Sequence, residues 1–98
     1  MVHELKCWPI HYRLLIHHDL DYRKTFEFRL NDRNYSLGDI LKEMEYLPES
    51  ETYTGRASYF LVTSIMEIKD HVIMSVRYLS PCDIVPPNCV KKTTLNTF

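Results

Sequence analysis

Residues 22–39 read YRKTFEFRLNDRNYSLGD. Arg23, Lys24, Arg29 and Arg33 surround Glu27 here, inside an alternating strand pattern. Successive side chains of a strand leave opposite faces. Phe26, Phe28 and Leu30 therefore share one face, and Thr25, Glu27 and Arg29 share the other. A rigid strand that presents Lys, Glu and Arg together suits an anionic or polar ligand. An Arg fork grips phosphate or carboxylate with two parallel hydrogen bonds, and Lys adds a mobile point charge. Glu27 can hold Arg29 in place, or accept a proton or a hydrogen bond from a ligand. The same residues equally suit the ion-paired, solvated face of an ordinary sheet.

Working outward, residues 31–34 (NDRN) and 36–39 (SLGD) carry turn chemistry, with Gly38 free to take a positive φ. Residues 40–47 form the next strand, with Ile40, Met44 and Tyr46 on one face and Glu43 and Glu45 on the other. Residues 48–54 read as a polar loop ending at Gly55. Residues 56–66 and 72–79 are strand-like and joined at Lys69, Asp70 and His71, which predicts a hairpin. Upstream, residues 3–7 alternate Leu5 and Cys7 against Glu4 and Lys6, a short first strand. Pro9 suits the first position of a helix, where its missing N–H costs nothing. Ile10, Leu14, Leu15 and His18 follow at helical spacing and predict a helix over 9–18. Residues 1–79 form one domain. Beyond it, Pro81, Pro86 and Pro87 break the pattern, so 80–98 is expected to be a poorly ordered or surface-draped tail. One helix followed by several antiparallel strands reads as an α+β domain with a small, partly closed sheet.

Ninety-eight residues suffice for one small core. A 45% hydrophobic and 26% charged composition is ordinary for a globular domain. The net charge of -1 argues against a generic nucleic-acid glue, so any nucleic-acid contact must come from a local patch. No apolar run approaches the roughly 20 residues of a membrane span. The opening MVHELKCWP lacks a secretory apolar region, so the expected location is the cytoplasm. Three cysteines make no closed disulfide framework. Cys82 and Cys89 could pair, but reduced thiols suit the cytosol better.

His3, His11, His17, His18 and His71 match no metal-ligand spacing, so no metal is expected. With two glycines there is no phosphate-cradling loop, and no cofactor is expected. No Ser–His or Cys–His nucleophile motif occurs. Trp8 and Tyr12 could stack on a base, although core packing is the commoner role for Trp. Tyr53 and Tyr59 carry the same two readings.

The blocks VHELKCWPIHY, RKTFEFRLNDRNYSLGDIL and YTGR resemble the phage-type ASCH-like family of small uncharacterised domains. That family's pattern runs HELK…P…YF, then KTFEIRKNDR-x-Y/F-x-VGD, then YTGR. Lys24, Glu27 and Arg29 also fit the wider ASCH signature G-x-K-x-x-E-x-R, with Tyr22 in place of its Gly. The resemblance covers residues 2–79. It implies a PUA-like fold, a small mixed or antiparallel β pseudo-barrel with one main helix. It further implies a cleft for RNA or modified bases, lined by the Lys and Arg of the motif. A phage or prophage source would put the protein in the host cytoplasm. Some small ASCH relatives resemble amidohydrolases acting on acylated cytidine, and others ribonucleases. The amidohydrolase relatives carry Thr where this chain has Glu27.

The expected function is an RNA- or modified-nucleotide-binding module. Lys24 and Arg29 contact phosphate or a base carbonyl, and Glu27 orients Arg29 or meets an exocyclic amine. Lys6 and Arg33 extend the patch, with Trp8 as a candidate stacking surface. The alternatives are a small hydrolase using Lys24 as base with Glu27 beside it, and a factor that binds a host protein. Of these, binding is expected to prevail over catalysis.

Overall fold

The period-two alternation of the sequence carries through to a curled, half-barrel sheet. The computed structural model describes residues 1–80. Its elements are β1 (Val2–Cys7), α1 (Pro9–Leu15), β2 (Phe26–Leu30), β3 (Ile40–Leu47), β4 (Thr52–Ile68) and β5 (His71–Leu79). The sheet order is β1-β3-β4-β5-β2. β1 pairs with β3 in parallel, and the other pairs are antiparallel. The tail beyond Ser80, with Cys82 and Cys89, lies outside the described residues.

The α+β, PUA-like expectation is overturned. Among the described residues strands make up 56% and there is one short helix, so this is a small, mostly-β fold. Two local causes account for the difference. The helix stops after seven residues, at Leu15. A longer helix would give the Leu14 carbonyl to His18. Here Lys24 N–H takes that carbonyl at 2.8 Å, so the chain folds back at once. Meanwhile β4 runs for 17 residues and takes in the second half of the stretch that reads as a loop. Tyr46 pairs with Tyr53 and Leu47 with Thr52, so the turn shrinks to residues 48–51. The register shifts between Met44 and Tyr46, and Gly55 takes φ +94° in the bulged segment. A bulge with a glycine looks like a turn in sequence, but the ladder resumes beyond it.

The inner face holds the core. Leu5 and Cys7 of β1, Leu41 of β3, Phe60 and Val62 of β4, and Val72, Met74 and Val76 of β5 meet there. Helix α1 adds Tyr12 and Leu15, while Ile10 is 62% exposed and Leu14 40% exposed. The buried stripe of the helix is therefore not the one its apolar spacing suggests.

β1 and β2 are the two edges of the sheet. An uncovered edge leaves backbone groups unpaired. Arg29 Nη2 donates to the Lys6 carbonyl at 3.2 Å, and Arg33 Nη1 to the Glu4 carbonyl at 3.0 Å. Arg29 thus staples one edge to the other where no ladder closes the barrel, and Arg33, in the loop after β2, fastens β1 from beside it.

The loop before β3 is anchored by Asp39. Its Oδ2 accepts from Ser36 N–H at 3.0 Å and lies 2.8 Å from His3 Nε2. The His3 contact, helped by Ser36, holds the Asp39 carboxyl below its usual range against the opposing pull of desolvation. Asn34 and Gly38 take φ of 52° and 84° in this loop. The NDRNYSLGD segment is thus a tie between β1 and β3, and Arg33 belongs to that tie. No helix among the described residues is long and apolar enough to cross a membrane.

Candidate functional site

β2 turns its faces the opposite way from a common half-buried strand. Phe26, Phe28 and Leu30 are 51%, 56% and 52% exposed, whereas Glu27 is 3% exposed. The ladder fixes this orientation. Glu27 sits opposite Met74, and Arg29 opposite Val72, both of them core residues of β5. β3 does the same, with Leu41, Glu43 and Glu45 buried in alternation. Two strands therefore aim carboxyl groups inward, at one end of the half-barrel.

Arg29 holds this charge together. Its Nε donates to Glu27 Oε2 at 3.0 Å, and its Nη2 to Glu43 Oε1 at 3.0 Å. Lys24 Nζ donates to Glu27 Oε1 at 3.4 Å. Burial pushes Glu27 up, but contact with Glu43 and the charges of Arg29 and Lys24 outweigh it and hold the carboxyl below its usual range. Glu43 is 0% exposed. Burial, then its contact with Glu27, pushes it up to about 9. Burial alone would lower Arg29, yet the two carboxyl groups beside it raise it. Cys7 lies behind this cluster. Burial, with Glu43 and Glu27 nearby, pushes its thiol up to about 12.

Above the cluster opens a cleft of about 780 Å³, within the range of small-ligand sites. One wall is α1 and its lead-in, with Trp8, His11 and Leu14. The opposite wall is Phe26 and Phe28 of β2, and the 21–24 loop closes one end. Glu27, Arg29, Cys7 and Lys6 also line it. The loop is tied down by the Lys24–Leu14 backbone bond and by Arg23 Nε donating to the His17 carbonyl at 2.7 Å. Lys24 Nζ lies 5.1 Å from the Phe26 ring centre.

The structure brings together Lys24, Glu27, Arg29, Lys6 and Trp8 in one cleft, and leaves Arg33 outside it at the β1 staple. Trp8 is 55% exposed and so does not take the core role expected of it. Tyr12 is buried instead, its hydroxyl 2.9 Å from Ser58 Oγ. Tyr53 and Tyr59 lie away from the cleft, against Tyr46 and Lys42. Arg29 is engaged on three acceptors and acts first as an internal brace. Glu43, Tyr22, Phe26 and Phe28 are site residues that sequence reasoning did not single out. The signal for Glu43 was present, because it shares the parity of Leu41. The YTGR block is structural here: Thr54 Oγ1 donates to Glu45 Oε1 at 2.9 Å, and Arg56 Nη1 pairs with the same oxygen at 3.7 Å. Among the described residues no three His, Cys, Asp or Glu side chains are grouped to hold a metal ion.

No curated protein matches this chain. The model of one family, described as "Domain of unknown function (DUF3850)", matches residues 2–76. The match takes in every strand but the end of β5, together with the whole of the cleft, and the chain accordingly belongs to that uncharacterised family.

Proposed function

We propose that this domain binds RNA or a nucleotide, modified forms included, in the cleft between α1 and β2. The observation that carries this is the cleft's make-up. Exposed aromatic side chains (Trp8, Tyr22 and Phe26, with Phe28 stacked on His71) alternate with the cations Arg23 and Lys24, and with Lys6 over Tyr46, above a floor carboxylate, Glu27. Base–aromatic stacking contributes about 1–3 kcal/mol per base, and the cations meet phosphate. Glu27 accepts from an exocyclic amine. With a net charge of -1 on the whole chain, the basic character is local to this cleft, which favours a short ligand over a long duplex. The ASCH-like spacing of Lys24, Glu27 and Arg29 supports the same reading.

The test is binding of labelled short single-stranded RNA and of mononucleotides at low salt. Saturable binding that weakens in Trp8→Ala and in Lys24→Ala is expected. Absence of any binding by the wild type overturns the proposal. A hydrolase would need Lys24 available as a base. Its engagement with Glu27 supports binding over catalysis, and no release of cytidine from N4-acetylcytidine above background is expected. Turnover that disappears in Lys24→Ala would reverse this ranking.

A further inference from the structure

One buried polar atom in this cluster is unexplained by the hydrogen bonds around it. Glu43 Oε1 takes a bond from Arg29, but Glu43 Oε2 is buried and meets no donor among the described residues. An unpaired buried carboxylate oxygen is costly, because it has lost its water partners and gained none in return. The groups that face Glu43 come from every neighbouring element. β1 offers Cys7 and β2 offers Glu27 and Arg29; Lys24 and Tyr35 approach from the loops on either side of β2. β4 sets Ser58 opposite it in the ladder, and α1 adds Tyr12, whose hydroxyl is engaged by that serine. Arg29 and Lys24 are already committed to Glu27. The partner left for Glu43 is the Glu27 carboxyl, which Arg29 holds beside it: one guanidinium bonds Glu27 Oε2 through Nε and Glu43 Oε1 through Nη2, both at 3.0 Å. Two ionised carboxylates are both acceptors, so a bond between them needs one proton.

We propose that Glu43 is held as a neutral carboxylic acid that donates from Oε2 to Glu27, and that the cleft thereby keeps the positive surplus needed to select a phosphate monoester. This rests on the nucleotide-binding reading and narrows it. Arg23, Lys24 and Arg29 line the cleft against Asp21 and Glu27, a surplus of one positive charge, while the Lys6 ammonium lies over the Tyr46 ring beside it. A terminal phosphate carries about -1.5 to -2 charges near neutrality, more than an internal phosphodiester, and gains most from that surplus. An ionised Glu43 behind the floor would cancel it. The direction of the Glu43 shift agrees with the geometry, since burial and the Glu27 contact both favour the proton. The ligand is then a nucleoside monophosphate or the phosphorylated end of an RNA, in preference to a nucleoside or an internal phosphodiester. Glu43 is a positioning residue: it acts through Glu27 and Arg29 and does not line the cleft.

The test has a ligand-free arm and a binding arm, both on the full chain. In a sample labelled with carbon-13 glutamate, one carboxyl carbon is expected at the chemical shift of a protonated acid at pH 7. It should titrate near pH 9 and be missing from Glu43→Gln. In the binding arm, cytidine monophosphate, cytidine, and an RNA oligomer with and without a terminal phosphate are compared from pH 7 to 9.5. The two monoesters are expected to bind roughly tenfold or more tightly than their unphosphorylated counterparts. Their affinity should fall with alkaline pH in the wild type but stay flat in Glu43→Gln. If only one monoester binds, it names the source. If Glu43→Gln does not fold, the wild-type titration of the protonated carboxyl decides the question by itself. A protein that binds nucleotides with every glutamate ionised at pH 7 overturns this proposal alone. A protonated Glu43 with no affinity for any nucleotide overturns the ligand half together with the binding reading.

Discussion

Replacing Arg29 with alanine probes the architecture most severely. Arg29 contacts Glu27, Glu43 and the Lys6 carbonyl, so the substitution removes a brace from a carboxylate that is 3% exposed and opens the edge staple. Breaking a buried ion pair from one side costs about 3–5 kcal/mol, because the remaining charge is left uncompensated. For a domain of this size each kcal/mol moves Tm by about 4–8 °C, so a drop of at least about 12 °C is expected at pH 7. The deficit should shrink in acid. In the wild type Glu27 is held below its ordinary value, so its stabilisation is present above that value and lost as pH falls. Without Arg29 the carboxyl protonates more readily, and acid then relieves the buried charge. Thermal unfolding of both proteins by circular dichroism at pH 7 and pH 4.5 decides the matter. A variant within 2–3 °C of the wild type at both values would refute the brace (less than about 0.8 kcal/mol on the same scale).

Three further outcomes follow from the same geometry. Glu43 is raised from 4.5 to about 9, so the folded protein keeps a proton that the unfolded chain releases in that window. Its contribution is full below pH 4.5 and lost toward pH 9, at about 1.4 kcal/mol per pH unit; between pH 6 and 8 denaturant unfolding should show a loss of about 3 kcal/mol that is missing in Glu43→Gln. Cys7 is 3% exposed with its thiol pushed up to about 12, so in a chain with Cys82→Ser and Cys89→Ser a thiol reagent at pH 8 should modify it only at the rate of unfolding; prompt labelling of that variant in native buffer would contradict its burial. Lys24→Ala should reduce the salt dependence of RNA affinity by about one unit of slope, while an unchanged slope would remove Lys24 from the phosphate contact.

Much of the site was legible because strand parity is rigid. Leu5 and Cys7 against Glu4 and Lys6, and Glu43 and Glu45 against Ile40 and Met44, fall on opposite faces as the alternation requires. Which face turns inward was not legible on β2 and β3. That choice depends on register with β5 and on the inner charge of Arg29, neither of which is local in sequence. The helix was overextended because Ile10 and Leu14 share its spacing yet face the cleft side or solvent, and because Lys24 competes for a carbonyl ten residues back. β4 was cut short because a glycine bulge and a tight turn use the same residue types. The Lys24–Glu27–Arg29 cluster could be anticipated from spacing, whereas its dependence on Glu43 needed the curl of the sheet.

The proposed nucleotide site lies between Trp8 and β2. Its most direct test is an amide and indole chemical-shift titration of the nitrogen-labelled full chain with cytidine monophosphate at low salt. Saturable shifts are expected at the Trp8 indole N–H, in the 21–24 loop and along Phe26 to Arg29, with the hairpin end near Lys69 and Asp70 unmoved. A flat titration, or shifts confined to the β4–β5 hairpin, would contradict the account.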